Sequence, residues 1–132
     1  VKLKQEVAEI RVKMRGHLGS KKAGRFMLKQ DKGGITDVEF LVQYWVLQYS
    51  HQYPELTQWS DNVRILGVMA QQDLITVMEA EQLIEAYTTL RDEIDHRNLL
   101  KQDADVDESR FVDQRQCIQK QWQSWLPLTV ES

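Results

Sequence analysis

The chain has 132 residues, 42% of them hydrophobic and 28% charged, with a formal net charge of −3. That length suits one domain with one core, the composition reads as globular rather than disordered, and no apolar run approaches the ~20 residues of a bilayer-spanning segment. One cysteine excludes an intrachain disulfide, and six glycines with two prolines leave few interruptions, which favours long helices over a many-turned β fold.

Charge is unevenly spread along the chain. Residues 1–32 carry ten Lys or Arg against three acids, net +7, so the remainder is −10. A solvated basic helix and loop, or a basic arm facing phosphate or an acidic partner, both fit this asymmetry. No nucleic-acid motif or interleaved aromatics accompany the basic residues, so nucleic acid is not an expected partner. Charges interrupt every apolar cluster at the start, so it does not read as a signal peptide, and a membrane is not an expected partner either.

"VKLKQEVAEIRVKMR" places Leu3, Val7, Ile10 and Met14 at helical spacing, with charge opposite. Gly16 and Gly19 are expected to end that helix, and "GSKKAGR" reads as a loop. "RFMLK" has the alternation of a short strand near Phe26–Lys29, with no partner strand evident elsewhere. From Ile35 to Tyr49 apolar residues fall on nearly every side, the mark of a central helix, which stops before Pro54. A third helix is expected behind Ser60 as N-cap, with Val63, Leu66 and Ala70 on one face.

Thr76 and Glu79 form a capping box that opens a long helix, its core stripe Ala80, Leu83, Ile84, Tyr87, Leu90 and Ile94. "KQDADVDES" reads as a polar interhelical loop. A last helix runs from near Ser109, with Phe111, Ile118, Trp122 and Trp125 on one face, and stops at Pro127. The predicted architecture is all-α: a single domain over residues 1–132, a bundle of about five helices with one strand-like segment.

Chemistry concentrates at "DKGGITDVEF", Asp31 to Phe40. Thr36 and Glu39 have capping-box spacing, and acids in a first turn suit the helix dipole. Consecutive glycines before a helix start, flanked by Lys29 and Lys32, can also bring backbone N–H groups close to an anion. The Walker A order is absent. His17, His51 and His96 lie far apart without zinc spacing, and Cys117 has no neighbouring His or second Cys, so no metal site is expected and that thiol reads as an apolar packer. "LRDEIDHR", Leu90 to Arg97, reads as a salt-bridged helix face, and "DADVD", Asp103 to Asp107, lacks the lead-in of a metal-binding carboxylate motif.

"RFMLKQDKGGITDVEFLVQYWVLQYSH", "WSDNVRILGVMAQQDLI" and "AYTTLRDEIDH" together resemble the C-terminal end of the bacterial glutamine synthetase adenylyltransferases, also called glutamate–ammonia ligase adenylyltransferases. The K-x-x-x-GGI-x-D-x-EF pattern, Lys29 to Phe40, carries most of the resemblance. It implies a bifunctional enzyme of two similar halves, each a polymerase-β-type nucleotidyltransferase domain followed by a helical domain. One half moves AMP from ATP, with Mg²⁺, to a tyrosine of glutamine synthetase; the other removes it by phosphorolysis. Glutamine and the PII signal protein set the balance, and the setting is cytoplasmic.

The Thr36-Asp37 form resembles the adenylylating half. The family's Gly-Ser-x-Asp-x-Asp metal motif is absent here, so the resemblance implies that catalytic carboxylates lie in a preceding domain and that this chain is inactive alone. It further implies that "RFMLK" pairs with that domain, and that Lys29, Gly33, Gly34, Asp37 and Glu39 border the nucleotide cleft. Lys29 and the glycine amides would contact phosphate, and Asp37 or Glu39 would orient a basic group or a metal-bound water. The alternative is a regulatory module that binds PII protein, glutamine or glutamine synthetase. Either way, extra exposed apolar surface is expected where a neighbouring domain docks.

Overall fold

A computed structural model describes residues 2–18, 23–57 and 61–126. In chain order the elements are α1 (Lys2–Leu18), β1 (Arg25–Met27), α2 (Ile35–Tyr49), a 3-10 turn (Pro54–Thr57), α3 (Asn62–Gln71), α4 (Val77–Leu99), β2 (Asp105–Asp107) and α5 (Val112–Trp125). Helix α2 is the hub. Its Leu41, Val42, Tyr44 and Trp45 are buried among α1, α3, α4 and α5, which is why its sequence is apolar on so many sides. The hub is not fully enclosed, because Leu47 stays 55% exposed.

The helix starts show how local chemistry sets boundaries. Thr76 caps α4 as expected: its hydroxyl accepts from the Glu79 N–H at 3.0 Å, and the Glu79 carboxylate accepts from the Thr76 N–H at 2.9 Å. Those bonds, with a third from the Gln121 side chain, hold the Glu79 carboxyl below its ordinary range. α3 is capped by Asp61, whose carboxylate accepts from the Val63 N–H at 2.9 Å; Ser60, the expected cap, lies outside the described residues. α5 starts at Val112 rather than near Ser109, because Asp107 first folds a turn by accepting from the Ser109 N–H and hydroxyl. α1 continues through Gly16 to Leu18; Gly19, together with residues 20–22 of the expected loop, lies outside the described residues.

Two expectations are overturned. The strand near "RFMLK" finds its partner within the chain. β1 pairs antiparallel with β2 in the register Arg25↔Asp107, Phe26↔Val106 and Met27↔Asp105, so the "DADVD" segment is a strand end and not a loop. Burial explains the pairing: Phe26 and Val106 are both 1% exposed on the inner face, and the Arg115 guanidinium stacks 4.0 Å over Phe26.

The second concerns α1. The seam of Leu3, Val7, Ile10 and Met14 is not the face it buries most deeply: Leu3 and Val7 are only partly buried at the edge of the core. α1 turns Ala8 and Arg11 onto α2, both at 0% exposure, and leaves Ile10 57% exposed. Small Ala8 lets the helices approach, and Arg11 finds a carboxylate inside. α4 and α5 close the other side of α2 with Leu83, Ala86, Leu90, Ile118 and Trp122, and Trp125 packs edge-on against Trp45 at 5.4 Å. Cys117 sits half-buried on α5, where burial pushes its thiol up from the ordinary 9.0.

Candidate functional site

The segment from Leu28 to Asp37 joins β1 to α2 by a turn folded tightly on itself. The Met27 N–H donates to the Asp31 carboxylate at 2.7 Å, and the Asp31 N–H returns to the Met27 carbonyl at 3.2 Å. The Gly34 N–H donates to the Asp31 carbonyl at 2.8 Å, Ile35 to Leu28 at 3.0 Å and Thr36 to Lys29 at 3.1 Å. The first donors of α2, which a helix start normally leaves without intrahelical partners, are therefore satisfied by the turn.

The N-cap is Gly34, with no side-chain cap bond, so Thr36 and Glu39 do not form the expected capping box. Asp37 is the acid of the first turn. Its Oδ2 accepts from the Gly33 N–H at 2.8 Å, and its Oδ1 accepts from Arg11 Nε at 2.6 Å and Arg15 Nη2 at 3.2 Å. Arg11 also donates through Nη2 to the Gln30 carbonyl at 2.6 Å. Arg11 is 0% exposed and Asp37 1%, so this ion pair lies in the interior. Burial is the main influence on Arg11 and lowers its pKa from the ordinary guanidinium value, while the Asp37 charge and hydrogen bond pull it back up.

Both glycines are required sterically. Gly33 has φ +84, and a Cβ there would lie 2.9 Å from the Arg115 carbonyl oxygen of α5. A Cβ on Gly34 would lie 2.6 Å from the Leu28 carbonyl oxygen and 2.7 Å from that of Lys29. This accounts for the doubled glycine: one position needs a left-handed backbone and the other a backbone without bulk. Both amides donate within the chain, Gly33 to Asp37 Oδ2 and Gly34 to the Asp31 carbonyl.

The five residues singled out in the sequence thus separate. Gly33, Gly34 and Asp37 form one buried knot. Lys29 lies on the same turn with an exposed side chain. Glu39 is two residues beyond Asp37, ~200° around the helix, and lines a different groove with Val7, Ile10, Phe40, Gln43 and Leu47. Asp37 borders a small cavity of about 170 Å³ with Lys32, Gln119, Trp122 and Gln123. With two guanidinium groups and one amide on it, Asp37 ties α1 and the glycine turn to the start of α2. Arg11 and Arg15 are the members that sequence reasoning missed. Their signal was the Lys4, Ala8, Arg11, Arg15 stripe beside the apolar seam, which only a buried carboxylate opposite could make meaningful.

Among the described residues no group of three or more His, Cys, Asp or Glu could hold a metal ion. The described residues thus offer no cluster of carboxylates for a resident Mg²⁺. Nor, among the described residues, is any helix long and apolar enough to cross a membrane.

Comparison with known proteins places this architecture. A protein 58% identical over 123 residues is the bifunctional glutamine synthetase adenylyltransferase/adenylyl-removing enzyme of Vibrio parahaemolyticus serotype O3:K6 (strain RIMD 2210633). The match covers 93% of this chain and 13% of that relative, so the chain spans about an eighth of the length of the curated protein it matches. The family profile described as GlnD PII-uridylyltransferase matches residues 3–120, taking in every element from α1 into α5, and the chain belongs to that family.

Proposed function

We propose that the chain is the C-terminal helical domain of the adenylylating half of a glutamine synthetase adenylyltransferase/adenylyl-removing enzyme. In this reading it buttresses a nucleotidyltransferase domain that moves AMP from ATP to a tyrosine of glutamine synthetase in the cytoplasm. The observation that carries the proposal is 58% identity across 93% of this chain to such an enzyme. The Mg²⁺ and ATP of that reaction belong to carboxylates outside these residues, and the bound metal would supply charge neutralisation of the phosphates there.

What this chain's own residues contribute is position. The Arg11–Asp37–Gly33 knot holds the turn before α2 rigid, and the turn presents Lys29 to a neighbouring cleft. Gly33, Gly34 and Asp37 act on that border by fixing the backbone, with Glu39 further along the same helix.

The test is transfer of labelled AMP from ATP to glutamine synthetase by the full-length protein, by a version lacking these 132 residues, and by the chain alone. Full-length activity, lost on deletion and absent from the chain alone, is expected. Transfer by the chain alone, or undiminished transfer without it, would overturn the reading.

The family description names PII, which favours a second reading as a regulatory module. That reading expects the deleted enzyme to keep basal transfer and lose its response to PII or glutamine.

A further inference from the structure

α1 carries two stripes, and the more apolar one is only partly covered: Leu3 and Val7 pack at the edge of the core, whereas Ile10 stays exposed. Leu3, Val7, Ile10 and Met14 recur at i, i+4, i+7 and i+11, the spacing with which a helix packs along another helix. The face α1 turns to α2 is instead the Ala8 and Arg11 face. On the uncovered side, α1 and α2 together form an open groove of about 470 Å³ lined by Val7, Ile10, Phe40 and Leu47, with Glu39 and Gln43. Ile10 is 57% exposed and Leu47 55%. Isolated exposed apolar residues are ordinary, but two helices contributing to one apolar groove are not explained by this domain's own packing.

We propose that the groove seats an amphipathic helix of the same polypeptide, from a region beyond these 132 residues. The proposal rests on the reading above, that the chain is one domain of a longer enzyme. Three observations select this occupant. The groove runs between two helices, α1 and α2, and so suits a third, whose own apolar residues at i, i+3 or i+4, and i+7 would enter it. The groove offers four apolar side chains, well short of the ~1,000 Å² that a stable interface between separate molecules needs. A segment tethered in the same polypeptide has an effective concentration of order mM, so a patch this small holds a helix in cis but not a second copy. Finally, the similar Vibrio protein has ample chain for the role, since the match covers only 13% of it. Glu39, the one carboxylate lining the groove, calls for a Lys or Arg on the incoming helix.

The test uses the full-length protein with a photoreactive benzoyl-phenylalanine replacing Ile10 or, separately, Leu47, followed by peptide mapping. Both positions are exposed, so neither replacement disturbs the core. The expected result is a cross-link from both sites to one segment of the same polypeptide, with apolar residues at helical spacing. Cross-links between copies, cross-links to another protein, or none from either site would overturn the proposal.

Hydroxyl-radical footprinting of the unmodified full-length protein gives a second readout. Ile10 and Leu47 should label far less than their exposure here implies, and labelling in proportion to that exposure would refute docking. Adenylyl transfer is scored on the same preparation. Activity without the cross-link removes this inference alone, and the cross-link without activity removes the enzymatic reading and leaves the docking intact.

Discussion

Replacing Asp37 by Asn tests the interior ion pair most directly. The change keeps volume and leaves an oxygen to accept from the Gly33 N–H, so packing and the turn are nearly conserved. What it removes is the charge facing Arg11, 2.6 Å away with both side chains at 1% exposure or less. Breaking a buried pair from one side costs about 3–5 kcal/mol, because the remaining charge has no compensation and no water. Arg15 adds little, since its side chain is 16% exposed and can turn outward.

Total stability of a domain this size is about 5–15 kcal/mol, so the loss is a large share of it. At roughly 3–5 °C per kcal/mol, the melting temperature should fall by about 10–20 °C. Urea unfolding followed by circular dichroism reads the loss as a shift in midpoint at unchanged slope. Adding Arg11→Met to the Asn variant should recover at least about 2 kcal/mol, because the stranded charge is gone, whereas Arg11→Met alone should destabilise. A loss under about 1 kcal/mol for Asp37→Asn, or equal effects of Arg11→Met in both backgrounds, would refute the assignment of this pair as the anchor of α1.

Gly34→Ala should destabilise by about 1–3 kcal/mol through overpacking, since its Cβ meets three backbone oxygens within 2.9 Å that cannot swing away; a neutral result in thermal unfolding would contradict the turn geometry. Lys101 ends α4 in the left-handed region at φ 56, with the Gln102 N–H on the Arg97 carbonyl and the Lys101 N–H on that of Asn98. Lys101→Gly should therefore stabilise by about 1 kcal/mol in a denaturant titration. Thr76→Ala should cost about 1 kcal/mol by loss of the α4 cap, measured the same way.

Glu79 gives a pH signature. Its folded pKa lies below the ordinary 4.5, so its contribution is complete above 4.5 and is lost as pH falls through the folded value. Glu79→Gln should be less stable than the parent at neutral pH and converge with it as pH falls below the folded value; parallel curves would exclude Glu79 from acid unfolding.

Helix α4 was legible in detail because its signals are local. Thr76 and Glu79 are three residues apart, and Ala80, Leu83, Leu90 and Ile94 keep one face through about four turns. The start of α2 was legible as a place but not as a mechanism. Thr36-x-x-Glu39 satisfies the capping pattern on paper, yet the turn bonds from Leu28, Lys29 and Asp31 carry the helix start back to Gly34. The strand pair was half legible: alternation marks Phe26, but β2 is a three-residue strand among acids, and only Val106 opposite Phe26 identifies it. β1 and β2, neighbours in space, are separated in sequence by three helices, a distance that pattern reading along the chain does not bridge.

By itself, the sequence determined which segments are helical, that α2 is central, that the glycine-rich turn is the chemically distinctive point, and which family the chain resembles. Periodicity, capping residues and backbone permissiveness are properties of neighbours along the chain. Only the tertiary structure decided which stripe of α1 turns inward. Hydrophobicity alone favours the apolar seam, but a carboxylate on α2 with a glycine amide behind it makes an interior place for Arg11, and the small Ala8 lets the helices close on it. That choice, made by a pair 26 residues apart, leaves Ile10 and Leu47 facing outward on a groove the chain does not fill.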